Sequence, residues 1–212
     1  MFLLHLAWSR RWREPASGRG RGGRGDGRHV RAAAAGLAGV LGGALTDPTR
    51  LGPNAGTSNQ SIRGVLLRLG PDGTAGTALW LVCVLLVGAL GFTVARRFAD
   101  RGERMGEVAA MGLMAVLLSP VAWIHHYAWM TVVVAALVAD GRSRRRTAMA
   151  GVVLAWFLCR FPWWGVTWIQ DRLGPVWVGR LLQNAYLLGA LVALGLLWQV
   201  TREGRAPRPA TR

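Results

Sequence analysis

An uncharged apolar run over residues 78–95 is the feature that most limits how this chain can fold. A helix of about 20 apolar residues crosses the hydrocarbon core of a bilayer, and this run approaches that length. Because backbone polar groups find no water inside a bilayer, repeated runs of this kind predict a bundle of transmembrane helices. Similar runs occupy residues 105–121, 123–139, 147–164 and 181–200, and a thinner Ala/Gly-rich run lies at 32–45. The sequence therefore predicts an all-α, polytopic membrane protein with about five or six spans.

The distribution of charge predicts how this bundle is oriented. The chain is 52% hydrophobic yet has a formal net charge of +16. These two properties are compatible if the apolar segments lie in lipid and the Arg residues lie in the loops between them. Four Arg residues occur in each of the segments 96–104, 141–146 and 201–212. These segments fall on one side of a five-span bundle, and the positive-inside rule makes that side cytoplasmic. We therefore predict a multi-pass plasma-membrane protein whose loops 46–77, 119–129 and 161–180 face the extracytoplasmic side.

The two ends of the chain are predicted to lie outside the helical domain. Residues 1–31 contain eight Arg residues and a Gly/Arg tract that cannot bury a core, which predicts a disordered tail. Arg residues can contact RNA phosphates, but no aromatic residue interrupts the tract, and no nucleic-acid partner is predicted. The predicted organisation is a tail at 1–31, a transmembrane helical domain at 32–200 and a cytoplasmic tail at 201–212.

The segment 59–69, NQSIRGVLLRL, has the pattern of a short amphipathic surface helix. Apolar residues recur at helical spacing up to residue 69, while Arg63 lies among the polar positions. Ser58 or Asn59 is the expected N-cap. Arg63 and Arg68 lie on the predicted outer face, where an anionic partner such as a lipid phosphate would explain them. Snorkelling of the Arg side chains to the membrane surface is the alternative interpretation.

The segment 119–129, SPVAWIHHYAW, joins two apolar runs and crowds two His residues among aromatic side chains. Adjacent helical residues such as His125 and His126 point ~100° apart, which makes them a poor metal site, and no metal is predicted. A His at the membrane interface can instead donate a hydrogen bond to a phosphate or a sugar hydroxyl. Anchoring at the interface together with Trp123 is the alternative. The sequence contains no nucleotide or dinucleotide motif, and no cofactor is predicted.

Three segments of the chain together resemble glycosyltransferase family 87, a family of membrane mannosyltransferases that use polyprenyl-phosphate mannose. They are DPTRLG at 47–52, NQSIRGVLLRL at 59–69 and LLSPVAWIHHYAW at 117–129. The resemblance implies a C-type glycosyltransferase fold with its active site on the outer face. It also implies a polyprenyl-phosphate-linked sugar donor and a glycolipid or glycan acceptor from the cell envelope. Ala122 and Ile124 depart from the family, which often has more polar residues there.

The resemblance and the residue chemistry together predict the site. An inverting transfer needs a carboxylate that deprotonates the acceptor hydroxyl, and Asp47 is the local candidate. Families of this kind carry a catalytic Asp in an earlier outer loop, so the chain is expected to be a C-terminal portion. The alternative is a non-catalytic membrane subunit, or a remnant, that binds lipid-linked sugar. The predicted substrate-binding residues are Asn59, Gln60, Arg63, Trp123, His125 and His126.

Overall fold

The computed structural model describes residues 53–203, and within that range the chain is helical. No β-strand occurs there, although one isolated antiparallel bridge joins two segments. The all-α prediction is therefore confirmed for the described part of the chain. The elements are α1 (Ile62–Leu69), α2 (Gly73–Asp100), α3 (Arg104–Leu118), a 3-10 helix (Ile124–Trp129), α4 (Met130–Val138), α5 (Arg144–Leu158), α6 (Phe161–Gln170), α7 (Val176–Gln183) and α8 (Ala185–Glu203).

Several of the predictions concern residues that lie outside the described range. They are the tail 1–31, the weak span 32–45, the candidate base Asp47, and most of the tail 201–212. These stay predictions.

Helix α3 lies at the centre of the bundle. Eleven of its fifteen residues are buried, and it packs against α2, α4 and α8. The contact with α2 is close, because a Cβ atom built on Gly91 would lie 2.3 Å from the Met114 sulfur. Small residues at helix crossings allow this approach between apolar helices. The largest fully buried apolar side chains are Phe98, Leu113, Met114, Leu117, Leu137, Leu194 and Leu197.

Two of the described helices are long and apolar enough to cross a membrane. They are α2, with 28 residues, and α8, with 19 residues. A third candidate is the pair formed by α5 and α6, which are bent by 45° relative to one another. Helices α3 and α4, with 15 and 9 residues, are shorter than a span requires. The described part of the chain therefore supplies two or three candidate spans, and the count of about five or six stays a prediction.

The helix boundaries differ from the sequence pattern in several places. The apolar run 147–164 does not form one helix, because α5 ends at Leu158 and Pro162 occupies the first turn of α6. The hydroxyl of Tyr186 donates toward the carbonyls of Phe157 and Cys159, which the break leaves without helical partners. Segment 161–180, expected as a loop, contains α6 and part of α7. These two short helices pack against each other, and α6 also contacts α8.

The bundle has two chemically different ends. At the Arg-rich end, defined by segments 96–104, 141–146 and 201–203, Arg101 donates to the carbonyls of Val200 and Thr201. Arg145 pairs with Glu203 at the same end. At the opposite end, called the motif end, segments 59–63 and 119–129 meet the junction of α7 and α8. The structure therefore gathers the described Arg-rich segments at one end and the motif segments at the other, as the sequence pattern indicated.

Candidate functional site

The two motif segments, residues 59–63 and 119–129, are joined directly at the motif end. Asn59 and Trp123 form an isolated antiparallel bridge, and the backbone N–H of Gln60 donates to the Ala122 carbonyl at 2.8 Å. The side-chain oxygen of Asn59 accepts from the Ala122 N–H at 2.9 Å. Its amide nitrogen donates to the carbonyl of Pro120 at 3.4 Å, across 61 residues of sequence. The predicted site residues from both segments therefore belong to one structural unit.

Helix α1 begins at this joint. The hydroxyl of Ser61 accepts from the Gly64 N–H at 3.0 Å and donates to the Pro120 carbonyl at 3.1 Å. Ser61 is thus the N-cap, and the expectation of Ser58 or Asn59 is wrong. The physical reason is that Asn59 and Gln60 pair with the second motif segment, so the helix starts only after them.

Gln60 connects the two motif segments to a third one. Its side-chain nitrogen donates to the carbonyls of Thr57 and Gln183, at 2.7 and 2.8 Å. The hydroxyl of Tyr127 donates to the Gln60 carbonyl at 2.8 Å, and burial raises the pKa of Tyr127, which keeps that hydroxyl a donor. The side-chain oxygen of Gln60 accepts from the Leu187 N–H at 3.4 Å. Gln60 therefore holds α1, the 3-10 helix and the start of α8 together.

The side chains of Asn59 and Gln60 have no exposed surface. Both residues are 0% exposed, and their amide groups bond to other parts of the chain. A buried polar group is stable only when its hydrogen bonds are satisfied, and here the protein itself satisfies them. The residue types alone suggested hydrogen bonds to a sugar, whereas the structure directs these bonds inward. Nothing in the local sequence distinguishes the two uses of an amide.

Arg63 lies on an open cavity of about 550 Å³. Its guanidinium carbon is 4.8 Å from the centre of the Trp80 ring, a cation–π contact. The indole N–H of Trp80 is buried without a hydrogen-bond partner among residues 53–203. Asp72 and Thr77 also line this cavity. The sequence pattern did not connect Trp80 or Thr77 with Arg63, because Thr77 was assigned to the loop 46–77 and Trp80 to the membrane span 78–95.

Trp123 and His125 line a different, shallower cavity of about 350 Å³, together with Ser58, Ile124 and Trp163. The rings of His125 and His126 meet edge to face, with 4.4 Å between their centroids. The side chain of Arg63 lies in a different cavity from those of Trp123 and His125. The structure therefore joins the backbones of the two motif segments but does not bring these three side chains into one cavity. Within residues 53–203, no group of three His, Cys, Asp or Glu side chains is placed to hold a metal ion.

His126 has a defined hydrogen-bonding state. The backbone N–H of Trp123 donates to its Nδ1 at 3.1 Å, so the proton of the neutral ring lies on Nε2. Burial of part of the ring, and then the neighbouring His125, lower the pKa of His126 below the ordinary value. The exposed side of the ring therefore offers a neutral N–H donor at neutral pH. Such a donor suits a phosphate oxygen or a sugar hydroxyl.

We expect nitrogen NMR of the His126 ring to show the Nε2-protonated form at neutral pH. Its titration midpoint should fall below the ordinary histidine value of about 6.5. The pKa of His126 is lower in the folded protein than in the unfolded chain. The stability that the neutral ring contributes at neutral pH should therefore decrease as the pH falls below about 6.5. His126→Gln assigns the resonance and should remove this part of the pH dependence. A midpoint at or above the ordinary value would contradict the assigned state.

Arg68 is bonded within the protein. Its guanidinium donates to the side-chain oxygen of Asn184 at 2.9 and 2.7 Å, and to the carbonyls of Gly56 and Asn59 at 2.7 and 2.8 Å. Burial, and then the positive charge of Arg180, lower the pKa of Arg68 to about 10. Arg68 therefore stabilises the motif end, and the sequence pattern did not separate its role from that of Arg63.

Comparison with known proteins supports the resemblance drawn from the motifs. The sequence matches the model of glycosyltransferase family 87 over residues 1–120, a range that includes the Arg/Gly-rich segment 1–31. No solved structure matches the chain.

Among curated proteins, the chain is similar to enzymes from mycobacteria. A polyprenol-phosphate-mannose-dependent alpha-(1-2)-phosphatidylinositol pentamannoside mannosyltransferase of Mycobacterium tuberculosis (strain CDC 1551 / Oshkosh) is 33% identical over 159 residues. That alignment covers 71% of this chain and 36% of the relative. A polyprenol-phosphate-mannose-dependent alpha-(1-2)-phosphatidylinositol mannoside mannosyltransferase of Mycobacterium tuberculosis (strain ATCC 25618 / H37Rv) is 36% identical over 152 residues, which cover 68% of this chain and 34% of the relative. The chain thus spans roughly a third of the length of these relatives, and it belongs to glycosyltransferase family 87.

Proposed function

We propose that this chain acts in a membrane mannosyltransferase that moves a mannosyl group from polyprenyl-phosphate mannose to a glycolipid or glycan of the cell envelope. The names of the relatives include polyprenol-phosphate mannose and a phosphatidylinositol mannoside. The observation that carries the proposal is the buried joint between residues 59–61 and 120–123. Because the motifs that resemble the family converge there, the surrounding cavities are the natural substrate sites.

We further propose that the protein is a multi-pass protein of the plasma membrane, with the motif end on the extracytoplasmic side. The Arg-rich end supports this orientation, because Arg-rich loops are retained in the cytoplasm. Short amphipathic helices at the motif end, α1 and α7, suit the membrane–water boundary. A lipid-linked donor would present its head group at that depth.

In this proposal, Arg63 binds the donor phosphate. Its half-buried guanidinium lies over Trp80 in an open cavity and has no carboxylate partner among residues 53–203. Trp123 and His125 contact sugar or acceptor groups at the neighbouring cavity, and His126, whose ring touches that of His125, supplies its Nε2–H as a donor. The remaining predicted residues, Asn59 and Gln60, serve as positioning residues, because their buried amides hold the motif segments together.

The proposed reaction follows from these roles. The acceptor hydroxyl oxygen bonds to the anomeric carbon of mannose from the face opposite the phosphate, while the bond from that carbon to the phosphate oxygen breaks. The electron pair leaves with the polyprenyl phosphate, and Arg63 stabilises its charge. A carboxylate takes the proton of the acceptor hydroxyl. Asp47 is the proposed base, and Asp72 is the carboxylate that lines the Arg63 cavity.

We expect Arg63→Ala to weaken binding of polyprenyl-phosphate mannose by about tenfold to one-hundredfold, the value of a lost charge-assisted hydrogen bond. Arg142→Ala is the matched control, because the Arg142 side chain is 89% exposed at the Arg-rich end. Binding is measured on the purified chain in lipid nanodiscs, and mannosyl transfer is measured in membranes. Arg63→Lys keeps the charge and should bind better than Arg63→Ala.

Equal effects of Arg63→Ala and Arg142→Ala on donor affinity would contradict the assignment. In the transfer assay, Asp47→Asn should lower the maximal rate while donor affinity is kept, and Asp72→Asn tests the other carboxylate in the same way. Donor binding through Arg63 without any transfer would favour the non-catalytic alternative, a membrane subunit that binds lipid-linked sugar.

A further inference from the structure

Trp80 forms a fixed wall of the Arg63 cavity. It lies on α2, the 28-residue helix, and its half-buried ring packs against the buried core of the bundle. The guanidinium of Arg63, which comes from α1, lies over this ring, with its carbon 4.8 Å from the ring centre. Among aromatic residues, Trp attracts a cation most strongly. A rigid side chain from one helix therefore holds a flexible cationic side chain from another.

The contact with Trp80 leaves the N–H donors of Arg63 free to bind an anion. Arg68 differs, because its guanidinium donates to Asn184 and to backbone carbonyls. Among residues 53–203, the Arg63 guanidinium has neither a carboxylate nor a carbonyl partner. An aromatic face attracts the positive charge without using the N–H groups at the edge of the guanidinium. Arg63 is thus held in place while its hydrogen-bonding capacity is kept.

Core packing alone does not account for an indole at this position. The Nε1–H of Trp80 is buried, and within the described part of the chain it has no hydrogen-bond partner. A buried donor without a partner is unfavourable, and a purely apolar side chain would fill the same place without that cost. What distinguishes the indole from such a side chain is the large aromatic face that Arg63 contacts.

We propose that Trp80 is a positioning residue, which holds the Arg63 guanidinium ready for the phosphate of the sugar donor. This inference rests on the proposed role of Arg63 in binding that phosphate. An Arg side chain has many rotamers, and ordering it at the moment of binding lowers affinity. Because Trp80 restricts Arg63 before the phosphate arrives, part of that loss is avoided. Anchoring of Trp80 at the membrane–water boundary is the alternative explanation, and it requires no contact with Arg63.

The test is a double-mutant cycle on Arg63 and Trp80. The purified chain in lipid nanodiscs is titrated with polyprenyl phosphate, which carries the phosphate but no sugar. We expect Trp80→Leu to weaken binding roughly threefold to tenfold, the value of a partly desolvated cation–π contact. Trp80→Phe keeps an aromatic face and should lose less. Adding Trp80→Leu to Arg63→Ala should cause no further loss, because the contact is already absent.

The matched control is Trp198→Leu, because Trp198 makes the same kind of contact with Arg97 at the Arg-rich end, at 3.9 Å. This variant should bind polyprenyl phosphate as the wild-type protein does. A Trp80 side chain that only supported the fold would weaken binding by the same factor with or without Arg63. Equal factors therefore overturn the proposal, and so does a loss in Trp198→Leu equal to that in Trp80→Leu.

Fluorine NMR of protein labelled with fluorotryptophan gives a second measurement if Trp80→Leu folds poorly. The Trp80 resonance is assigned by its absence from Trp80→Phe. It should shift when polyprenyl phosphate is added, and also in Arg63→Ala without any ligand. A resonance that responds to neither change overturns the proposal.

The outcomes separate this inference from the proposed function on which it rests. Lower affinity in Arg63→Ala, with no loss in either Trp80 variant, overturns the positioning role alone. Unchanged affinity in all of these variants overturns the assignment of Arg63 to the donor phosphate as well. No mannosyl transfer is measured, so an inactive chain that binds polyprenyl phosphate still tests the role of Trp80.

Discussion

Replacing Gln60 with Met is expected to lower the free energy of unfolding by roughly 2–6 kcal/mol. The Met side chain has a similar length but cannot donate, so the carbonyls of Thr57 and Gln183 lose the donor that they share. Each buried polar group left without a partner costs about 1–3 kcal/mol. Total stabilities of proteins are about 5–15 kcal/mol, so this single change removes a large fraction. Because Gln60 joins three segments of the motif end, substrate binding should be lost along with stability.

The matched control for this experiment is Gln170→Met, which changes an exposed Gln at the end of α6. Denaturant unfolding of the purified protein in detergent should show little change in the control. If Gln60→Met and Gln170→Met unfold at the same denaturant concentration, the buried network does not hold the motif end together. Intact stability with lost donor binding would instead indicate that Gln60 contacts the substrate directly.

Gly165→Ala is expected to destabilise the protein by about 3 kcal/mol, near the upper range for overpacking of a core. A Cβ atom at this position would lie 2.2 Å from the backbone nitrogen of Gln183 and 2.5 Å from the Gly179 carbonyl oxygen. Both are backbone atoms, so α7 would have to move as a unit away from α6. That movement would shift Gln183, whose carbonyl accepts from Gln60.

Gly195→Ala provides the comparison, since a Cβ atom in this part of α8 would meet nothing within 4 Å. Ala favours helix over Gly by about 1 kcal/mol, so this variant should be neutral or slightly more stable. Thermal unfolding of both variants in the same detergent measures the difference. A melting temperature for Gly165→Ala at or above that of Gly195→Ala would show that α6 and α7 are not in close contact.

The sequence was informative about the class of fold, because apolar runs long enough to span a membrane and Arg-rich loops are local signals. It predicted α2 and α8 and the separation of the Arg-rich segments from the motif segments. It was less informative about short elements. The run 147–164 is apolar apart from Arg160, yet it forms two helices, with Pro162 in the first turn of the second one. Tyr186, distant in sequence, bonds the carbonyls at the end of the first helix. A partner from another helix cannot be found from the local pattern.

The candidate site stays a prediction, but the structure shows how its two segments lie. The motif resemblance assigned residues 59–63 and 119–129 to one site, and hydrogen bonds join these segments in the structure. Asn59, Arg63 and Arg68 look equally polar in sequence. Only the tertiary structure buries Asn59, bonds Arg68 to Asn184 and leaves Arg63 on an open cavity.

The two ends of the bundle are bonded differently, so dissolved salt is expected to affect them to different degrees. At the Arg-rich end, contacts include exposed ion pairs such as Arg145 with Glu203, whose side chains are 58% and 49% exposed. Dissolved salt screens such pairs strongly. The motif segments are instead joined by neutral amide, hydroxyl and backbone groups such as those of Gln60, which salt hardly affects. The joint between the motif segments is therefore expected to keep its shape when the ionic strength changes.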